Sequence, residues 1–151
     1  MATSISFLPV AENRSIFEDL VTQALQHAKN LGASDAAAEV SEAQGLAVSV
    51  RKGQVETVEQ TRDRSMDITV FAGQRRGSAS TSDLSPAALR QTVEAAWHIA
   101  RYTAEDPSAG LPEAGLLAKN VQHNLQLHHP WAVSVAQATE LAIVAERAAL
   151  D

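Results

Sequence analysis

The chain has no cysteine, which removes disulfides, thiolate nucleophiles, thiolate zinc sites and iron–sulfur clusters and agrees with a reducing compartment. Aromatic residues make up only 4 % of it, so aliphatic and alanine side chains must fill any core, and closely packed alanine-rich helices are expected. No run of about 18 apolar residues occurs, which excludes a membrane-spanning helix. The first twenty residues carry Glu12, Arg14, Glu18 and Asp19 where a secretory signal would be apolar. Cytoplasm is the expected location. Basic residues are the minority sign, 12 Lys and Arg against 18 Asp and Glu, for a formal net charge of −6. Without a basic stripe to displace counterions from phosphates, nucleic-acid binding is not expected.

What is present is a 151-residue chain, 45 % hydrophobic, the size of one domain or a domain with a short extension. From Asn13 to Leu31 the apolar residues Ile16, Leu20, Ala24 and Ala28 recur at i+4, an amphipathic helix that Gly32 can end in a left-handed conformation. The period then changes to two. Leu46, Val48 and Val50 alternate with polar or small residues, Lys52-Gly53 turns, and Val55 to Gln60 returns. A second hairpin follows, with Met66, Ile68 and Val70 on one face, a turn at Ala72-Gly73-Gln74, and Arg75 to Thr81 running back. Asp35 to Gln44 can add a strand ahead of the first hairpin.

Ser85-Pro86 opens a second helix, a hydroxyl at the N-cap and proline at N1. Its stripe is Leu89, Val93, Ala96, Trp97 and Ala100, and it should finish near Tyr102. Pro107, Pro112 and Pro130 with Gly110 and Gly115 mark a connector. Ser134 with Gln137 resembles a capping box, and Ala138, Leu141, Ala142, Ala145 and Ala149 give a last helical stripe. The expected organisation is an α+β domain over 1–104, a connector over 105–133 and a linking helix over 134–151. Within the first, a two-layer arrangement is expected: an antiparallel sheet of four to five strands, from two β-hairpins, covered by two long helices. The sheet residues Leu46, Val48, Val50, Ile68 and Val70 should meet Leu20, Leu25, Val93 and Trp97. Because the chain stops at Asp151 with that last helix barely closed, a longer gene product is expected.

Residues that could carry chemistry are few. His128-His129 are adjacent, so on an extended chain they point to opposite sides and chelate poorly. His123 lies in the connector, His98 beside Trp97, and His27 on the polar side of the first helix. The hydroxyl run Ser78, Ser80, Thr81, Ser82 and Ser85 lacks the Gly-x-Ser-x-Gly elbow of a nucleophile and the Gly-Lys of a phosphate loop. It reads as a strand face and a helix cap. Arg51, Lys52, Arg62, Arg64, Arg75 and Arg76 gather near strand ends among Glu56, Glu59, Asp63 and Asp67. Such mixed charges are ordinarily a solvated face with weak ion pairs.

Three stretches carry a family resemblance: GASDAAAEVSEAQGLAVSVRKGQVETVEQTRDRSMDITVFAGQRRGSASTSDLS, AEDPSAGL and LHHPWAVSVAQATELA. Their order and spacing, above all Val50-Arg51-Lys52-Gly53, the block Gly77 to Ser85, and Asp106-Pro107 with Gly110-Leu111, resemble the N-terminal domain of the TldD/PmbA metallopeptidase family, on the PmbA (TldE) side. The resemblance implies a cytoplasmic bacterial heterodimer in which a TldD-like subunit pairs with a PmbA/TldE-like subunit. Together they degrade or process unfolded peptides, peptide antibiotic precursors included, a role also described as modulation of DNA gyrase.

It places zinc on a His-Glu-x-x-x-His helix in the C-terminal domain of the TldD-type subunit, and this sequence has no such motif. No catalytic or metal-binding residue, and no cofactor, is expected in this fragment, which should be inactive alone. Arg51, Lys52, Arg75, Arg76, Ser78 and Ser80 are the candidate contacts to a peptide or to the partner subunit. The alternative is a free-standing module that binds a protein or peptide through a sheet edge.

Overall fold

A computed structural model describes residues 14–117, 127, 129 and 131–150. Among them the order is α1 (Arg14–Asn30), β1 (Asp35–Arg51), β2 (Gln54–Ala72), β3 (Arg75–Thr81), α2 (Pro86–Tyr102) and α3 (Val135–Leu150). The class is α+β, with one three-stranded antiparallel sheet in the order β1-β2-β3. The described residues fall into two compact units, one of 14–42 with 63–115, the other of 43–62 with 116–150.

Sequence periodicity suggests four or five strands, but the described chain forms three. Asp35–Gln44 and the Leu46–Val50 run are one continuous strand, and Gln54–Ala72 joins the return of the first hairpin to the outward strand of the second. Thr61 to Ser65 holds neither glycine nor proline, so nothing there breaks an extended backbone. Gly45 invites a break but sits in the pleat instead. A β-carbon there would stand 2.9 Å from Thr61 Oγ1, so the strands approach closely at this point.

The first unit owns the buried core. Leu20, Ala24 and Ala28 of α1, Met66, Ile68 and Val70 of β2, and Leu89, Val93 and Ala96 of α2 form one cluster. Phe17, Leu31, Ala79, Leu84 and Trp97 pack at its margin, with Ala36, Ala38 and Val40 of β1. The expected pairing is therefore corrected in part. Leu46, Val48 and Val50 lie in the other unit, and Leu25 is half-buried outside the cluster. A continuous β1 extends past the core, so the alternation that hides Ala36 near its start continues into a different neighbourhood at its end.

Local signals explain the boundaries. Gly32 (φ 94°) closes α1, with Ala33 N–H donating to Ala28 O at 3.1 Å. Ser85 Oγ accepts from Ala88 N–H at 3.3 Å, and Pro86 follows it. The second hairpin pairs Met66 with Thr81, Ile68 with Ala79 and Val70 with Gly77. Its turn is tied down by Ser34, whose Oγ accepts from Gly73 N–H and donates to Phe71 O.

In the second unit, α3 starts as its sequence predicts. Ser134 N–H donates to Gln137 Oε1 at 2.9 Å, and Gln137 N–H donates to Ser134 Oγ at 3.3 Å. The covered face differs from the expected stripe. Ala138, Thr139, Ala142, Ile143 and Glu146 are half-buried, whereas Leu141, Ala145 and Ala149 are exposed. Glu146, on the half-buried face, makes the contact described next.

Candidate functional site

The β1–β2 turn carries Arg51 and Lys52. Lys52 (φ 54°) and Gly53 (φ 72°) are both left-handed, the combination that a two-residue hairpin turn of the right twist requires. Such a turn aims two consecutive N–H groups outward, away from the strand ladder. Here both are used. Lys52 N–H donates to Glu146 Oε1 and Gly53 N–H to Glu146 Oε2, each at 2.6 Å. Arg51 faces Glu56 at 3.5 Å, with both side chains more than half exposed.

Arg75, Arg76, Ser78 and Ser80 lie on β3 in the first unit. Arg75 donates to Arg101 O at 3.2 Å and to Glu105 Oε1 at 3.0 Å, tying the β3 start to the end of α2. Arg76 is exposed opposite Phe71. Ser78 shares a 2.9 Å hydrogen bond with Thr69, its cross-strand partner, and Ser80 stands opposite Asp67. With Ser65, which donates to Asp67 Oδ2 and bonds Ser41 Oγ at 2.9 Å, they make the solvent side of the sheet a row of hydroxyls. This face is polar, with Asp67 and Arg76 among its hydroxyls. Ser41 with Ser65, and Thr69 with Ser78, pair across the strands, and the one carboxylate in the row, Asp67, accepts from Ser65 with no third group to orient the pair, so the arrangement is a hydrogen-bonding surface and not a nucleophilic triad.

The six candidate residues therefore form two groups in two units: Arg51 and Lys52, and Arg75, Arg76, Ser78 and Ser80. His27 reaches Glu94 at 3.3 Å between α1 and α2, so the polar side on which it was expected faces a partner. His98 is exposed; His123 and His128 lie outside the described residues. No three of His, Cys, Asp and Glu come together as metal ligands would among the described residues. They do not fit a zinc site, and no metal step is assigned to them.

Two features escape sequence reading. The Glu42 side chain is 1 % exposed, with Arg64 Nη2 at 3.3 Å; alternation from Ala36 along the expected strand of 35–44 already turns it inward, but its cross-strand pairing with Arg64 has no local signal. The Glu146 contact joins residues more than 90 positions apart, and no local signal announces it.

Residues 36–100 match the family model for PmbA/TldA metallopeptidase domain 1. The chain belongs to the TldD/PmbA metallopeptidase family, of which it carries the N-terminal domain. It is similar to Metalloprotease PmbA of Escherichia coli O157:H7, 48 % identical over 143 residues that cover 94 % of this chain and 31 % of that protein. A Metalloprotease PmbA homolog of Haemophilus influenzae is 45 % identical over 131 residues, 87 % of this chain and 29 % of the relative. The chain thus spans about a third of the length of these curated relatives. The crystal structure of TldE from Thermococcus kodakarensis shares the fold at a TM-score of 0.54 and 17 % identity, over 76 % of this chain and 25 % of that one.

Proposed function

We propose that the chain is the non-catalytic N-terminal domain of a PmbA/TldE-like subunit in a cytoplasmic metallopeptidase complex that degrades or processes unfolded peptides. The observation that carries this reading is the match of 36–100 to the first domain of the family, within a chain nearly half identical to a PmbA metalloprotease. Zinc and the peptide-cleaving groups belong to a TldD-like partner subunit. The domain core is 1–104; 105–133 connects it to the helix of 134–151, which leads toward a C-terminal domain.

This domain's own task is to shape the approach to that centre. In sheet order β1 is an edge strand, and β3 pairs with only the last part of β2, from Met66. An extended peptide can add to such an edge through backbone hydrogen bonds. Arg51, Lys52, Arg75, Arg76, Ser78 and Ser80 serve as contacts to peptide or partner. Mixing the purified PmbA-like protein that carries this domain with a TldD-type subunit bearing His-Glu-x-x-x-His should give one co-eluting species in size-exclusion chromatography, and separate elution at micromolar concentrations would contradict the reading.

A further inference from the structure

The turn at Lys52-Gly53 presents two backbone N–H groups side by side, and each meets a different oxygen of one carboxylate, Glu146. That carboxylate belongs to the half-buried face of α3, and the capping box at Ser134 and Gln137 holds the helix start. A carboxylate with both oxygens engaged is matched donor for acceptor. A carboxamide offers one oxygen and would set an N–H against one of the two amides. Lys52 adds positive charge at the tip, and its left-handed φ of 54° is a conformation that a lysine rarely adopts.

We propose that the Lys52-Gly53 tip is a carboxylate-binding site that the chain fills with its own Glu146. Glu146 acts as a latch on α3, and a free peptide α-carboxylate competes with it for the two amides. The choice of a peptide as competitor rests on the peptide-handling reading above; the latch itself does not. When the competitor binds, the carboxylate leaves the tip and α3 is freed at its C-terminal half.

Backbone amide NMR of the full 151-residue chain separates these possibilities. In Glu146→Gln, the Lys52 and Gly53 amide signals should move upfield, and exchange protection across Thr139 to Ile143 should fall about tenfold, as expected for loss of charge-assisted hydrogen bonds. Signals of the first unit should stay in place. In Glu146→Ala, acetyl-Ala-Ala with a free carboxylate should return both tip amides downfield, while its carboxamide leaves them unmoved. Unchanged tip amides in Glu146→Gln would overturn the latch, as would loss of first-unit signals, which would make Glu146 part of the general fold. Equal responses to the carboxylate and the carboxamide would overturn the binding site. A latch that responds in Glu146→Gln together with an unresponsive Glu146→Ala tip would refute the peptide competitor.

Discussion

Gly77 marks the tightest approach of helix to sheet. A β-carbon built there would run into the backbone at Ala96 O and Ala100 N and would stand 2.9 Å from the Ile99 β-carbon. Two of these three atoms are main chain and cannot swing aside, so α2 or β3 must shift. Gly77→Ala should cost about 2–3 kcal/mol, the upper range for overpacking a tight interior, read as a lower urea midpoint by circular dichroism. An unchanged midpoint would mean that the layers are farther apart. Ser85→Ala removes the acceptor for Ala88 N–H and should cost about 1 kcal/mol in the same measurement. The sequence made Ser85 legible because capping is local. It left Gly77 looking like one more small residue in a serine block, since close approach is a property of two elements and neither sequence alone states it.

At the scale of elements, helices and turns were legible and strand continuity was not. Ser85-Pro86, Gly32, Lys52-Gly53 and Gly73 each carry their instruction within a few residues. Whether Thr61 to Ser65 bends depends instead on the neighbouring strand β1. The rotation of α3 shows the same limit. Its alanines offer nearly equivalent faces, and the covered one carries Glu146, whose contacts lie 93 and 94 residues away in sequence. Ser134→Ala should weaken only the helix start: hydrogen exchange in the first turn of α3 should rise several-fold, as about 1 kcal/mol of capping is lost, while α1 and α2 exchange as before. Uniform acceleration across all three helices would contradict an independent second unit. The candidate contacts divide the same way. Arg51 and Lys52 could be placed at a turn from the sequence, whereas the engagement of Arg75 by Arg101 O and Glu105 depends on where α2 ends.

For the whole molecule, the burial pattern sets where stability resides. The core cluster lies wholly in the first unit, and none of the described residues of the second is buried. Trp131, Leu141 and Val144 remain exposed there. Native-state hydrogen exchange should therefore show 43–62 and α3 opening at lower denaturant than α1, α2 and β3, because sparsely buried regions open sub-globally first. A single shared opening transition would contradict this. Composition indicates a core filled by aliphatic and alanine side chains, and Ala24, Ala28, Ala96 and Ala100 are fully buried. It could not indicate that this core serves only part of the chain.

The central claim is that these residues form the surroundings of a reactive centre and supply none of its reactive groups. The most direct test is to purify the 151-residue chain, measure its zinc content by mass spectrometry, and incubate it with an unstructured peptide. The account predicts neither stoichiometric zinc nor any cleavage. One zinc per chain together with chelator-sensitive hydrolysis of the peptide would contradict it.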